Sequence, residues 1–422
     1  MQVTIIAAGS RGDVQPYVAL GKGLKEAGHT VRVLASLDFQ DLITAHGLAF
    51  FDMGGSIESV AQGMQGLLER GNFLKILASM GPAAQRLVGQ AVVGGLAACQ
   101  GSDLILAGLG GLFVGLALSE KLGLPFVPAY LYPFTPTREL PSVLSPAPQT
   151  RLPRWANYLS HRMAQQMMWQ TFRAADNMAR RQTLKIAAAP FWGPFASLEK
   201  EDRTILCGYS PQVIPSPKDW GDSIHVTGYW FLEPPSGWEP PADLMGFLES
   251  GPPPVYIGFG SMVNRRPDEV ADLVLQALER TGQRAVWSAG WGGLTGHGLP
   301  ETVFMIGSLP HSWLFPRMAA VVHHGGVGTT AAGLRAGIPS ITVPFFGDQP
   351  FWGGRIAELG VGPQPIPRSK LTAERLAKAL HETVTDTAMR ERAAWLGGAI
   401  RAEDGVGSAV RVIEGFMTRR PA

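Results

Sequence analysis

Short apolar runs alternate with amphipathic stretches from the first residues of the chain. The apolar "VTIIAAG" precedes the polar "SRGDVQP" and then "YVALGKGLKEAG", where Tyr17, Leu20 and Leu24 fall on one side of a helix that Gly28 ends. The apolar "HTVRVLAS" follows. Continuous apolar runs of this length are typical of strands covered on both faces. The pattern therefore predicts a strand, a loop, a helix and a strand, which form a βαβ unit with a parallel sheet.

The same pattern recurs at "DLILAG" and "LPFVPAYL" and resumes in the second half of the chain. Predicted strands lie there at "PVYIGFGS", "RAVWSAG", "VFMIGSLP", "AAVVHHGG" and "IPSITVPF". Predicted helices lie at "PDEVADLVLQALERTG" and "VGTTAAGLRAG", and a final helical segment runs from about Ala388 to Arg419. We expect an α/β protein of two Rossmann-like, doubly wound domains whose sheets face a central cleft, where ligands bind.

Proline-rich segments divide the chain. One of them, "PFTPTRELPSVLSPAPQTRLPRW", precedes a predicted helical stretch from Ala156 to Ile186, and proline clusters flank a short helix farther on. The latter segment is the best linker candidate. The predicted division is an N-terminal domain (1–232), a linker (233–253), a C-terminal domain (254–395) and a C-terminal helix (396–422) that packs back on the N-terminal domain.

Composition narrows the classes of protein. The 422 residues are 45% hydrophobic and carry a net charge of +2, which gives no attraction for nucleic acid. Cys99 and Cys207 match neither a zinc spacing nor a disulfide framework, so a reducing cytoplasm fits best. No secretory signal is visible. The apolar run from Leu104 to Leu118 is shorter than the ~20 residues of a spanning helix, and a strand, a turn and a helix start explain it better. We expect a soluble protein and leave a peripheral membrane contact open.

The clearest candidate for chemistry is "VVHHGGVGTTAAGL". A buried strand ends at the histidines, and Gly325, Gly326 and Gly328 allow a sharp turn and the close approach of a ligand. A helix then begins between Val327 and Thr330. Its unpaired N–H groups and positive dipole end suit an anion such as phosphate, to which a histidine can donate. A glycine turn with a structural histidine is the alternative.

A second polar pair follows the next predicted strand, in "VPFFGDQPFWG". Asp348 and Gln349 stand together in an apolar, aromatic context. A carboxylate beside an amide offers acceptors and a donor to vicinal hydroxyls. The alternative is an aspartate that caps the next helix.

The order and spacing of these elements resemble a known family. The stretch from Leu309 to Gly362 resembles the nucleotide-sugar signature of the inverting GT-B glycosyltransferases in the UDP-glycosyltransferase superfamily, most of all the sterol 3-β-glucosyltransferase branch and the related antibiotic-aglycone enzymes. The N-terminal "GSRGDVQPYVALGKGLKEAGHTVRVLA" resembles the same branch. The resemblance implies that the N-terminal domain binds an acceptor and the C-terminal domain a nucleotide sugar.

The resemblance also implies roles for single residues. Asp13 falls at the position of the catalytic base, and Asp348 and Gln349 fall where the family holds the sugar hydroxyls. The positions matching the donor diphosphate site are His324, Gly326, Val327, Gly328, Thr329 and Ser261. The loop that lines the nucleobase corresponds to Pro310, His311 and Trp313. From the residues alone, Asp13 is equally a cap of the helix near Pro16, and "LPH" is equally a simple turn.

Two departures leave the donor open. Ser308 and Ala332 stand where plant-type signatures carry a base-stacking tryptophan and a ribose-binding glutamate, so the donor is UDP-glucose or a TDP-sugar. The chain contains no Asp-x-Asp, so we expect a metal-independent reaction with no cofactor. An acceptor hydroxyl would displace the nucleoside diphosphate in line and invert the anomeric carbon, with Asp13 taking its proton.

The acceptor is expected to be a hydrophobic alcohol such as a sterol. Tyr130, Tyr132 and Phe134 are candidate lining residues, with ordinary core as their alternative. The stretch from Arg151 to Arg181 is either a solvated helix or an amphipathic helix on lipid. Other functions left open are glycosylation of a polyketide or macrolide aglycone, sugar-nucleotide epimerisation, and a non-catalytic partner protein. We do not expect an NAD-linked oxidoreductase, because the first loop lacks G-x-G-x-x-G. The oligomeric state is not readable.

Overall fold

The structure is a computed structural model that describes residues 1–55, 81–145, 152–198, 203–259, 267–288 and 299–419. The chain forms two compact units. The first contains the described residues up to Leu232 together with those from Glu403 onwards, and the second spans Glu233–Ala402.

The first unit is built on a parallel sheet. Its strands are β1 (Gln2–Ile6), β2 (Thr30–Ala35), β3 (Ala49–Asp52), β4 (Leu104–Ala107), β5 (Phe126–Tyr130), β6 (Ile205–Cys207) and β7 (Ile224–Val226), in the spatial order β3-β2-β1-β4-β5-β6-β7. Val3 on the central β1 pairs with Val31 on one side and Leu104 on the other. Its helices before Leu232 are α1 (Arg11–Glu26), α2 (Gln40–Ala45), α3 (Gly81–Ala98), α4 (Leu112–Leu122), α5 (Arg154–Ala179) and α6 (Phe195–Leu198). This is the doubly wound arrangement that the alternating pattern predicts.

Helix α1 begins earlier than expected. The segment "RGDVQP", predicted as a loop, forms the first turns of α1, with Ser10 as the N-cap residue. The Ser10 N–H and hydroxyl both donate to Oδ2 of Asp13, at 2.8 and 2.9 Å. Such a capping box satisfies orphan donors at the helix start. Pro16 lies inside the helix, where its missing N–H leaves one backbone hydrogen bond unmade.

The second unit contains a smaller parallel sheet. Its strands are β8 (Val255–Gly258), β9 (Ala285–Ser288), β10 (Val303–Ile306), β11 (Ala320–His323) and β12 (Ser340–Thr342), in the order β10-β9-β8-β11-β12. Its helices are α7 (Ala242–Glu249), α8 (Pro267–Thr281), α9 (His311–Leu314), α10 (Val327–Ala336), α11 (Gln349–Glu358), α12 (Ala373–Thr385) and α13 (Thr387–Arg401). Neighbouring residues of β8 enter different core clusters, Val255 and Ile257 one and Tyr256 the other. Both faces of the sheet are therefore covered, as the continuous apolar runs predict.

The linker and the later division of the chain differ from the sequence-based ones. The segment 233–253 contains α7, whose Leu244 is fully buried beside Tyr256 and Phe315, so it lies in the second unit. A boundary after residue 395 would cut α13, and the second unit ends at Ala402 instead. The predicted final helical segment is two helices, α13 and α14 (Gly405–Thr418), since the Asp404 carboxylate caps α14 by accepting from the Gly407 N–H at 2.9 Å.

The glycine-rich apolar run from Leu104 to Leu118 forms β4, a turn and the beginning of α4, as predicted. None of the helices in the described ranges combines the length and apolar character that crossing a membrane requires.

Candidate functional site

Two loops of the second unit meet at one edge of its sheet. β11 and β12 are parallel and pair His323 with Thr342, so the segments that follow both strands leave from the same edge. Gly325 has a φ of +88°, and a Cβ at this position would lie 3.0 Å from the carbonyl oxygen of Gln349. The structure thus brings the glycine turn after β11 against the start of α11. His324, Asp348 and Gln349, predicted from separate motifs, belong to one local site.

The amino terminus of α10 opens onto this turn. Gly326 is the N-cap residue, and its carbonyl accepts the Thr330 N–H at 2.9 Å to close the first helical turn. The N–H groups of Val327, Gly328 and Thr329 precede that bond and have no acceptor inside the helix. Together with the positive end of the helix dipole they are suited to binding an anion.

The two histidines before the turn, His323 and His324, differ in burial and in hydrogen bonding. His323 is fully buried, and its Nδ1 accepts the Gly325 N–H at 3.1 Å, which places the ring proton on Nε2. Burial holds the pKa of His323 well below its usual value. His323 therefore shapes the turn as a neutral ring.

His324 is partly exposed, and its Nε2 lies beside Gly326, where any Cβ would overlap it. Burial lowers the pKa of His324 to about 4. Its Nδ1 is buried and has no hydrogen-bond partner in the described part of the chain. At neutral pH His324 is thus an uncharged ring with one N–H to donate, and the positive potential at the turn comes from the helix.

Asp348 and Gln349 are held by bonds that orient their side chains. Asp348 occupies the N-cap position of α11, yet its carboxylate makes no cap bond and instead accepts the indole N–H of buried Trp352 at 2.9 Å. Gln349 Oε1 accepts the backbone N–H groups of Phe345 and Phe346, at 2.8 and 3.3 Å. Asp348 therefore occupies the capping position without making the capping hydrogen bond. The side chains of Asp348 and Gln349 are both held in fixed orientations at the sheet edge.

The predicted nucleobase residues lie around α9. Pro310 is its N-cap residue, and the His311 ring stacks on Phe315 with centroids 4.3 Å apart and planes 14° apart. The Trp313 ring meets Trp238 edge-on at 5.4 Å. "LPH" therefore begins a short helix, and aromatic rings lie around it.

Asp13 lies in the first unit, at the third position of α1. Burial raises the pKa of Asp13, and the two hydrogen bonds from Ser10 oppose that rise. Gly9 has a φ of +135°, and a Cβ there would lie 2.5 Å from the Asp13 Oδ2. One turn later, the Tyr17 hydroxyl donates to the Ala129 carbonyl at 2.5 Å. The Asp13 carboxylate is therefore a partly buried capping group, held close to the backbone at Gly9.

The candidate acceptor residues belong to an aromatic cluster of the first unit. Tyr130 and Phe134 are buried and meet edge-on at 5.4 Å, and Phe134 lies 6.0 Å from Phe195. Tyr132 is partly buried. Ser261 lies outside the described residues.

Sequence reasoning missed three residues that complete these sites: Ser10, Trp238 and Trp352. Ser10 stands three residues before Asp13, which is the spacing of a capping box and was a readable signal. Trp352 follows Asp348 by one helical turn, the spacing at which side chains on a helix meet. Trp238 is distant from Trp313 in the sequence, and no local pattern pairs them.

The chain is similar to known glycosyltransferases in sequence and in fold. Two family models match the chain: the glycosyltransferase family 28 N-terminal domain over residues 3–141, and the erythromycin biosynthesis protein CIII-like C-terminal domain over residues 291–404. Among solved structures, the glycotransferase of kitacinnamycin superposes with a TM-score of 0.69 at 18% identity, covering 99% of both chains. CalG4, the calicheamicin glycosyltransferase, gives 0.68 at 18% identity, over 100% of this chain and 99% of that one. The fold is that of the GT-B glycosyltransferases, as predicted.

Curated relatives are closer in sequence. Sterol 3-beta-glucosyltransferase UGT80A2 of Arabidopsis thaliana is 37% identical over 97% of this chain and 65% of its own length. UGT80B1 of the same plant is 37% identical over 97% of this chain and 67% of its length. The sterol 3-beta-glucosyltransferase of Cryptococcus neoformans is 36% identical over 98% of this chain but 27% of its own length. The chain belongs to the sterol 3-beta-glucosyltransferase family, and it spans about two thirds of the plant relatives' length.

Proposed function

We propose that this protein is an inverting glycosyltransferase that moves a hexose, glucose by its family, from a nucleoside diphosphate sugar to the hydroxyl of a sterol. The observation that carries the proposal is that four hydrogen-bonding groups, the start of α10, His324, Asp348 and Gln349, lie together at one sheet edge. The start of α10 and His324 suit a diphosphate, and the oriented Asp348 and Gln349 suit sugar hydroxyls. The family membership supports the choice of reaction and acceptor.

In the proposed reaction the acceptor oxygen bonds to the anomeric carbon while the bond from that carbon to the diphosphate oxygen breaks. The hydroxyl proton passes to Asp13. Because Ser10 holds Oδ2 with two donors, we assign the proton to Oδ1. General-base catalysis of this kind contributes about 10²–10⁴-fold. Alignment of the reactants supplies a further part of the acceleration.

The leaving diphosphate gains charge as the bond breaks. The first N–H groups of α10 and the N–H of His324 would bind it, and Ser261 has the same role by family resemblance. A bound dianion also favours the protonated form of His324, whose pKa is lowered by burial to about 4 when the site holds no ligand. We propose that this stabilisation replaces a metal ion, and that the enzyme needs no cofactor.

A second nucleotide for the donor and a second class of acceptor are also candidates. The match to the erythromycin biosynthesis protein CIII-like C-terminal domain favours a natural-product aglycone as the alternative acceptor, for which we keep a TDP-sugar as the donor. The aromatic cluster around Tyr130 and Phe134 suits either kind of rigid, apolar acceptor. We place the protein in the cytoplasm, where its two free, buried cysteines, Cys99 and Cys207, would stay reduced.

Mass spectrometry of products tests the proposal. UDP- and TDP-sugars are each incubated with sterols and with macrocyclic aglycones. The proposal predicts a sterol that gains one hexosyl unit from UDP-glucose. Aglycone products in the absence of steryl products would support the alternative. A donor turned over into another sugar nucleotide, with no acceptor product, would show an epimerase.

A further inference from the structure

Helix α5 exposes a line of large apolar side chains. Trp155, Leu159 and Met163 are 68%, 47% and 64% exposed. They are spaced four residues apart, so they lie along one face of the helix. Asn157 and Ala164, on the opposite side, are buried. The helix thus packs one face inward and presents apolar groups outward, which is the reverse of an ordinary surface helix.

The loop before α6 extends this surface. The carbonyl of Phe191 accepts the Trp169 indole N–H at 2.9 Å and the Gln170 amide at 2.9 Å, so the loop lies along α5. Phe191 and Trp192 are themselves 54% and 73% exposed. We call the surface formed by Trp155, Leu159, Met163, Phe191 and Trp192 the aromatic face. Exposed apolar patches of this kind usually mark an interaction surface.

The charges around the aromatic face are almost all positive. Between Arg154 and Leu198 the one acidic residue in the sequence is Asp176, which is buried and bonded to Arg180 at 2.8 Å. The remaining basic residues of this stretch are Arg154, Arg162, Arg173, Arg181 and Lys185. The Arg173 guanidinium lies 4.9 Å from the Phe191 ring centre, so positive charge and aromatic surface are interleaved. Glu139, on the neighbouring segment, and Glu120, which pairs with Arg180, are acidic groups nearby.

From this chemistry we propose that the aromatic face docks the first unit on the surface of an anionic lipid bilayer. Tryptophan favours the headgroup boundary, where its apolar ring and its indole N–H are both accommodated, and phenylalanine adds apolar area that is buried there. Arginines beside them are attracted to anionic headgroups. The occupant is thus a membrane surface that the protein touches without crossing.

The docking surface is continuous with the candidate acceptor residues. Trp169, directly beneath the Phe191 loop, lies 5.1 Å from Phe113, and Phe113 lies 6.1 Å from Phe195. Phe195 in turn contacts Phe134, a predicted acceptor-lining residue, at 6.0 Å. A sterol resides in the bilayer, so the docked face would place the acceptor cluster next to its source. This last link rests on the proposed function, whereas docking itself does not.

Vesicle co-sedimentation without any donor tests the docking. The chain is mixed with phosphatidylcholine vesicles or with vesicles that also contain phosphatidylglycerol. We expect tighter binding to the anionic vesicles, weakened by salt. Replacing Trp155, Met163 and Trp192 by serine should lower partitioning at least about tenfold. Arg154→Gln with Arg162→Gln should lower binding to anionic vesicles by about 30-fold and leave binding to neutral vesicles unchanged.

Trp395→Ser is the matched control, because Trp395 is 70% exposed but stands on α13 of the second unit. It should bind vesicles as the parent chain does. Circular dichroism and a thermal melt establish that each variant folds. No vesicle binding by the parent chain, or equal loss in the Trp395→Ser control, would overturn the proposal. So would a parent dimer that the triple variant converts to a monomer while vesicle binding is retained.

A transfer assay separates this proposal from the proposed function. Sterol is supplied either in vesicles or as a soluble cyclodextrin complex. The triple variant should keep transfer to the soluble complex and lose it with vesicles. If the parent chain binds vesicles but transfers to neither form, the proposed function fails and docking stands. If the triple variant transfers equally well from both forms, the link between docking and acceptor supply is wrong.

Discussion

Replacing Asp13 by asparagine separates its two roles. The Asp13 Oδ2 accepts two hydrogen bonds from Ser10, and an asparagine side-chain oxygen can accept the same pair. The helix start is therefore retained, while the basic oxygen is lost. We expect kcat to fall by about 10²–10⁴-fold, the contribution of a general base. Affinity for the donor, measured by calorimetric titration of the nucleoside diphosphate, should stay near that of the parent.

Ser10→Ala is the matched control, because it removes the hydroxyl donor and leaves the carboxylate. Loss of such a cap costs about 0.5–2 kcal/mol of folding free energy. For a unit of this size each kcal/mol lowers Tm by about 2–4 °C. Turnover should largely survive. Since the Ser10 hydroxyl bond lowers the pKa of Asp13, its loss should raise that pKa and move the acid limb of the pH–rate profile upward, while the backbone N–H bond remains.

If Asp13 is the general base, kcat/KM should change with pH in a definite direction. Burial raises the Asp13 pKa, and only the ionised carboxylate accepts a proton, so kcat/KM should fall as pH drops through that raised pKa. The asparagine variant should lose this limb. Normal turnover by Asp13→Asn would refute the assignment. Equal losses of activity and melting temperature in Ser10→Ala and Asp13→Asn would show that helix capping alone explains the residue.

Other predictions concern the donor site and its environment. His324→Ala should weaken donor binding and turnover by about tenfold or more while leaving thermal stability near that of the parent; unchanged titration and rates would remove its diphosphate role. In Gly326→Ala the new methyl must displace the His324 ring, so activity should fall, whereas Gly307→Ala, which meets open space, should be silent in the same assay. Burial lowers the pKa of His161 and His324 to about 4, so the unfolded chain binds more protons below about pH 6.5. Urea unfolding should show stability falling from pH 6.5 towards pH 4, with a shallower fall in His324→Gln; an identical slope would contradict the assignment. Chelation by EDTA should leave transfer unchanged, and a rate restored only by added divalent cation would show a metal requirement.

The alternation of apolar runs and helical stretches was enough to predict both parallel sheets. Strands such as β1 and β11 are continuous apolar runs because both faces are buried, and that pattern is local in the sequence. The glycine turn before α10 was also readable, since a strand ending in histidines and a glycine-rich turn leaves little choice but a tight corner. Its closeness to Gln349 follows from the parallel pairing of β11 with β12.

Other features depend on contacts that no local pattern encodes. The low pKa of His324 comes from its burial, which the sequence does not display. The assignment of α7 to the second unit rests on Leu244 packing against Tyr256 and Phe315, while its proline-rich flanks resemble a linker. The start of α1 was misplaced because Pro16 suggested a boundary, although the Ser10–Asp13 cap begins the helix earlier.

The stereochemistry of the product tests the transferase proposal most directly. UDP-glucose, whose sugar is α-linked, is incubated with a sterol and the chain, and the anomeric proton of the purified product is examined by NMR. Single in-line displacement predicts a β-glucoside, seen as a large diaxial coupling, and its formation should be lost in Asp13→Asn. An α-glucoside, or a steryl glucoside formed equally well by the variant, would contradict it.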